Sequence, residues 1–354
     1  MPEHADGDGL AAATALERFV DALPKVELHV HLEGSVRPES LLTLAAKHGL
    51  TRVPDTLEGL REFYRFQDFA HFIEVYYAVC DHLTDEQDFA LVARELGEHL
   101  AGQGVRYAEV TITPFNHTRR GVPAGAVFDG IERGRLEAEA ATGIRLRWCV
   151  DVPGEFGAEA GLETADLVRE HRPEGVVSFG LGGPEAGVPR AQFARAFAIA
   201  RDAGLHSVPH SGETMGAATI WDALTHLGAE RIGHGVRCLE DPRLVAHLRE
   251  HRIPLEVCPT SNVCLSVVPS LAAHPLPRLI DEGLVVTLNS DDPPMFNTTL
   301  RAEYLHAVTR MGLSPAALAQ LARAAVRASF LPARDQSRML ADIDRVEVPD
   351  EADS

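Results

Sequence analysis

Lys25-Val26-Glu27-Leu28-His29-Val30-His31-Leu32-Glu33-Gly34 alternates apolar and polar side chains from Val26 to Glu33. A period of two belongs to a β-strand with unlike faces, so His29 and His31 are expected to leave one face of a rigid strand together. Two imidazoles on one face are a ready pair of ligands for a divalent first-row ion. With 17 histidines in the chain such a pair also arises by chance. Its meaning depends on whether later strands bring further ligands and a proton-transfer group to the same place.

Counting 26–31 as the first, eight short β-branched runs recur, the others at 105–112, 144–152, 176–181, 205–210, 231–234, 254–258 and 285–289. Between them lie segments with apolar residues three and four apart, for example 126–141, 192–203, 218–227, 242–251 and 271–282. Strands alternating with helices in this way predict an α/β protein, a (β/α)8 TIM barrel, with its active site in the loops at the C-terminal ends of the strands. A chain of 354 residues holds such a barrel as one domain. The expected division is a flexible N-terminus over 1–18, one barrel domain over 19–341, and a flexible tail over 342–354 that carries six carboxylates. A helical insertion of three helices is expected over about 35–104, after the first strand. It contains the aromatic-rich run from Phe63 to Tyr77. An insertion there would lie over the barrel mouth as a pocket wall or lid; padding of the barrel or a contact in a homo-oligomer are the alternatives.

Lys and Arg number 33 against 52 Asp and Glu, a formal charge of −19, which repels phosphate backbones and anionic membranes and argues against a nucleic-acid partner. No apolar run is long enough to span a bilayer, and the first residues are acidic where a signal peptide would be positive. The five cysteines are scattered without a C-x-x-C pair, so neither a disulfide framework nor a thiolate zinc site is suggested. A soluble protein of the reducing cytoplasm is expected.

The strand ends carry the chemistry. The fifth ends in His210-Ser211-Gly212-Glu213, where His210 offers a third imidazole and Gly212 permits the sharp turn that brings Glu213 back toward it. The sixth ends in Gly233-His234-Gly235 and the eighth in Asn289-Ser290-Asp291-Asp292-Pro293. Adjacent carboxylates after an apolar strand repel unless a cation or a donor takes each. His29, His31, His210 and Asp291 would hold one ion with room for a water, the composition of a catalytic rather than a closed structural site. Asp292, Glu213 and His234 would remain as proton-transfer groups beside it. The fourth strand offers no Lys or His to bridge a second ion, which favours a single metal, and ends instead in Gly182-Gly183, where a flat ligand can approach the backbone closely.

Together His29-Val30-His31-Leu32-Glu33-Gly34, Leu181-Gly182-Gly183-Pro184-Glu185, His210-Ser211-Gly212-Glu213, Arg231-Ile232-Gly233-His234-Gly235, Cys258-Pro259-Thr260-Ser261-Asn262 and Asn289-Ser290-Asp291-Asp292-Pro293 resemble the adenosine deaminase family of metal-dependent hydrolases. The resemblance implies hydrolytic deamination at C6 of a purine. It assigns one Zn²⁺ per chain to His29, His31, His210 and Asp291. Glu213 becomes the proton donor to purine N1, and His234 the group that orients the attacking oxygen. Asp292 is placed at N7, the backbone of Gly183 at N3, and His31 and Glu33 toward the sugar. Two departures leave the substrate open. Glu33 stands where adenosine deaminases usually carry Asp, and Gly182-Gly183-Pro184-Glu185 matches neither them nor adenine deaminases. Three readings follow: an adenine nucleoside such as adenosine or a 5′-modified adenosine like aminodeoxyfutalosine, free adenine, or a non-catalytic relative that binds purine nucleosides. The last predicts loss of the turnover groups, whereas Glu213 and His234 are both present. Continuing the alternation places Glu33 on the face of His31, beside the sugar, with Arg61 and Arg65 as candidates to receive an anionic 5′ substituent.

Overall fold

Each of the eight β-branched runs is a strand: Lys25–His31 (β1), Val105–Ile112 (β2), Arg145–Pro153 (β3), Val176–Gly182 (β4), His206–Ser211 (β5), Ile232–His234 (β6), Leu255–Val257 (β7) and Val286–Leu288 (β8). They pair in chain order, every pair parallel, in a computed structural model that describes residues 14–349. All seven residues of β1 are buried, its polar ones included, because one face meets the helical layer and the other the barrel interior.

The seam between β8 and β1 closes differently. Beyond β8 the chain forms a single parallel bridge, Val30 to Asp291, in which Asp291 N–H donates to His29 O at 3.0 Å and His31 N–H to Asp291 O at 2.9 Å. Below it the Asn289 side chain accepts from Leu28 N–H at 2.9 Å. The Glu27 carboxyl accepts from the Ser290 backbone at 3.2 Å and hydroxyl at 2.9 Å. Side chains thus satisfy the strand edges that a regular ladder would have paired.

Helix α1 (Ala15–Ala22) begins within the stretch expected to be loose. Thr14 and Glu17 form a capping box, and Leu16, Phe19 and Val20 are buried. Residues 1–13 lie outside the described residues. At the other end a helix runs from Ala333 to Ile343 with Ile343 buried, so order extends past the expected boundary at 341. Of the expected tail, 350–354 lie outside the described residues.

Between β1 and β2 there are four helices rather than three: Pro38–His48 (α2), Leu57–Phe63 (α3), Phe69–Cys80 (α4) and Glu86–Ala101 (α5). The aromatic run from Phe63 to Tyr77 is split, because α3 ends at Phe63 and Asp68 starts α4 by accepting from His71 N–H. Gly97 of α5 lies against Ala138 of the helix Ala124–Thr142, so α5 belongs to the barrel's outer ring and α2 to α4 are the additional elements.

Candidate active site

The C-terminal ends of β1, β5, β6 and β8 bring His29, His31, His210, His234 and Asp291 to one point. The His29 ring centroid lies 5.4 Å from that of His31, 4.5 Å from His210 and 4.7 Å from His234. Nε2 of His31 faces Nε2 of His210 at 3.2 Å, and Asp291 Oδ1 lies 3.5 and 3.3 Å from Nε2 of His29 and His31. Buried His29 Nε2 has no hydrogen-bond partner. His29, His31 and His210 bring ligand atoms within 4.8 Å of one another, and Asp291 does so with His31 and Asp292, so these overlapping groups are candidates to hold a metal ion.

Electrostatics agree. Burial pushes the His29 and His31 imidazoles down, yet the surrounding carboxylates carry them up to about 10 and about 9. The field that draws protons onto these rings also draws a dication. Burial works against the charge of Asp291, but its bonds to His29 and His31 hold its carboxyl well below the ordinary range. Beside it, burial and the charge of Asp291 push Asp292 well up. Asp291 and His234 both have positive φ, 64° and 59°. Strained turns at these two strand ends are what point their side chains over the barrel mouth.

His29 is oriented from behind. Glu256 in β7 accepts from its Nδ1 at 2.9 Å, which leaves Nε2 free for a ligand. Glu256 is itself bonded to buried Arg231 at 2.6 Å, and Arg231 also pairs with Glu109. Cys258 Sγ lies in a second group with His29, His234 and Asp291. Burial and the nearby carboxylates hold its thiol well up, and it donates to Glu256 O at 3.6 Å, so it enters as a neutral neighbour.

Glu213 and His234 stand beside the four metal candidates. Glu213 Oε1 is buried without a hydrogen-bond partner, 3.8 Å from His234 Nε2, which lies 3.8 Å from Asp291 Oδ2. Burial, reinforced by Asp291 and Glu185, pushes the Glu213 carboxyl well above its ordinary range. Gly212, at φ 70°, makes the turn. The Glu185 carboxylate then anchors the loop by accepting from the backbone N–H groups of Gly212, Glu213, Thr214 and Met215 at 2.6 to 3.1 Å.

The His234 tautomer is set by a chain of donors. Leu276 N–H donates to His274 Nδ1 at 3.1 Å, His274 Nε2 to Asn262 Oδ1 at 3.2 Å, and Asn262 Nδ2 to His234 Nδ1 at 3.4 Å. The proton of His234 is therefore on Nε2, facing Glu213. Asn262→Ala is expected to lower kcat by about 10- to 100-fold, the usual cost of losing such a supporting partner. KM and metal content should change little. Steady-state kinetics with a metal assay checks this, and a loss confined to KM would contradict it.

These groups floor a cavity of about 570 Å³, its open mouth included. Phe69, Phe72, Ile73, Tyr76 and Tyr77 of α4 form one wall, so the aromatic run of the first crossover is a pocket wall. Facing it, Asp151, Pro153, Glu155, Gly182 and Gly183 come from the ends of β3 and β4. Gly183 has φ 78°, and a Cβ there would meet the Glu155 carboxylate, so glycine is required at this turn. Burial raises the Asp151 carboxyl to about 7 against the lowering effect of His31 and Thr113.

Glu33 is not where the alternation placed it. β1 stops at His31, Leu32 turns helical and Glu33–Ser35 is a 3-10 turn. The side chain is fully buried, accepting from Thr113 N–H and His117 Nε2, both at 3.0 Å, and it does not line the cavity. Burial alone would raise its carboxyl, but the His117 bond brings it below the ordinary range. Arg61 and Arg65 do not line the cavity either. Both are exposed, Arg65 paired with Glu62 at 3.0 Å. Arg119 lies over the rings of Tyr77, which lines the cavity, and Phe156, at 5.2 and 4.8 Å.

An eight-stranded parallel barrel with imidazoles and a carboxylate gathered at its mouth and a buried, unpartnered carboxyl beside them is the architecture of a metal-dependent hydrolase. The adenosine deaminase family model matches residues 24–346, and the chain belongs to that family as an aminohydrolase. It is 52% identical to an aminodeoxyfutalosine deaminase of Streptomyces avermitilis, over 97% of this chain and 98% of the relative. Among solved structures it is similar to an adenine deaminase of Arthrobacter aurescens, with TM-score 0.88 and 35% identity over 91% of this chain and 98% of that one. It is also similar to a zinc-bound amidohydrolase of Burkholderia ambifaria, with TM-score 0.87 and 25% identity over 96% of each chain.

Proposed function

We propose that the protein deaminates the 6-amino group of an adenine nucleoside by hydrolysis, with one Zn²⁺ per chain held by His29, His31, His210 and Asp291, and that the preferred nucleoside is a 5′-modified adenosine such as aminodeoxyfutalosine. The observation that carries the reading is the buried carboxyl of Glu213 standing unpartnered beside the imidazole cluster, in a cavity one wall of which is aromatic. Bound zinc would supply a water acidic enough to attack at neutral pH.

The chain's own residues do the rest. Adding water at C6 places negative charge on the ring unless N1 gains a proton, and Glu213 gives it. His234, with its proton on Nε2, donates to the attacking oxygen and orients it toward C6. Asp292, whose carboxyl burial and the charge of Asp291 push well up, faces N7 as a hydrogen-bond donor. The backbone at Gly183 meets N3. Ammonia leaves, and the 6-oxo purine remains.

The 52% identity to an aminodeoxyfutalosine deaminase supports a 5′-modified adenosine, and Arg119, over the ring of the cavity-lining Tyr77, is a candidate cation for its substituent. Incubating the metal-loaded enzyme with adenine, adenosine, 2′-deoxyadenosine, 5′-methylthioadenosine and aminodeoxyfutalosine should give the highest kcat/KM with a nucleoside, aminodeoxyfutalosine first. Adenine turned over with at least ten times the kcat/KM of every nucleoside would replace this reading with an adenine deaminase.

A further inference from the structure

With Glu33 turned away from the cavity, the carboxylate beside the imidazoles on the sugar side must come from elsewhere. Asp151, the seventh residue of β3, lines the cavity and is 2% exposed. Thr113, just past β2, is 4% exposed and its hydroxyl donates to Asp151 Oδ1, which fixes the carboxylate in one orientation. Oδ2 takes no donor from the described residues, and no cation pairs with it. It is not among the sealed, partnerless atoms, so it opens on the cavity. A Cβ on Gly182 would fall 2.5 Å from Oδ2 and 3.9 Å from His210 Cε1. The unpartnered oxygen therefore sits at the corner where β4 meets the imidazole cluster. Asn116, 3% exposed, lines the same wall, and its Oδ1 is also without a partner.

A carboxylate oxygen held in one orientation at a cavity wall, with no protein donor, is placed to accept from a ligand. We infer that Asp151, oriented by Thr113, is the sugar-binding residue of this site and accepts a hydrogen bond from a ribose hydroxyl of the nucleoside. The inference rests on the nucleoside reading above. With C6 over the imidazoles and N3 at Gly183, N9 and its sugar leave the purine on the side of the β3 and β4 ends. There Asp151 and Asn116 are the polar groups left without protein partners. A free purine base brings one donor, N9–H, toward this wall, whereas a nucleoside brings hydroxyls that reach beyond it, so a contact to Asp151 beyond N9 favours the nucleoside.

The test compares Asp151→Asn and Asp151→Ala with the unaltered enzyme, all metal-loaded and assayed for metal content, on adenosine, its 2′-, 3′- and 5′-deoxy forms and adenine. For adenosine, kcat/KM should fall about 10- to 100-fold in Asp151→Ala, the worth of a hydrogen bond to a charged group. The change for adenine should stay within about threefold. The unaltered enzyme should lose a similar factor on the one deoxy form that lacks the contacted hydroxyl, and Asp151→Ala should no longer distinguish that form from adenosine. Thr113→Val, which frees the carboxylate to turn, should show a smaller loss with the same pattern. Equal losses on adenosine and adenine, or continued discrimination against every deoxy form in the variants, would overturn the inference. An unaltered enzyme that deaminates adenine but no nucleoside would overturn the nucleoside reading and this inference with it. That failure is visible before any variant is made, whereas failure of the Asp151 assignment alone appears only in the variants.

Discussion

Glu213→Gln is expected to leave a folded, metal-loaded protein that still binds its nucleoside and turns it over about 10²- to 10⁴-fold more slowly, the usual worth of a positioned acid. Glutamine keeps the volume of the buried side chain, and the loop is held from outside by Glu185 through the backbone of residues 212 to 215. What disappears is a carboxyl whose hold on its proton burial and neighbouring carboxylates strengthen. The loss should fall on kcat, because N1 needs that proton only as water adds to C6. Isothermal titration with a non-hydrolysable purine nucleoside beside steady-state kinetics separates the two effects. Retention of more than a tenth of the activity would mean that another group protonates N1.

Removing any one of the four metal candidates should abolish turnover to at least the same degree. In Asp291→Ala the carboxylate 3.3 to 3.5 Å from two imidazoles is gone, and three neutral nitrogens bind a dication loosely and in the wrong geometry. Exhaustive chelation of the native enzyme should give the same inactive state, and readdition of Zn²⁺ should restore it only where all four residues are present. Elemental analysis provides the check: one ion per native chain and far less than one in the variant. Two tightly held ions per chain, or full activity after chelation, would refute the mononuclear site.

The barrel was legible because each strand is a short β-branched run ending in a turn residue, and because eight of them at helical separations admit few other architectures. The convergence of His210 and Asp291 on the first strand followed from the rule that barrel sites sit at strand C-termini. Glu33 was misread by extending the alternation two residues too far; nothing in Leu32-Glu33-Gly34 marks where the chain leaves the extended conformation. Asp151 was missed because one carboxylate in Val150-Asp151-Val152-Pro153 makes no motif, although a lone charge near the end of a buried barrel strand is itself a signal. Glu256 gave the same signal, a charge at the centre of the apolar three-residue strand Leu255-Glu256-Val257. Asn262 and Glu185 stood in view inside recognised motifs. Their parts became visible only when helix and strand ends from distant segments were laid beside His234 and Glu213.

The seam of the barrel gives the metal a second consequence. His29 and His31 belong to the first strand and Asp291 to the last, and the same three residues exchange the backbone hydrogen bonds that join the two. The ion's ligand set cannot assemble until all the intervening strands are in place, so site formation is among the latest and most non-local events of folding. In return, an ion held by the proposed ligands would act as a clasp across the edge that lacks a regular ladder. Held at a thousand times its dissociation constant, an ion that binds only the closed ring adds about 4.1 kcal/mol to its stability. Zinc starvation would therefore loosen the ring at its weakest joint as well as silence the chemistry, and the fate of the demetallated chain in a cell would be decided at that edge.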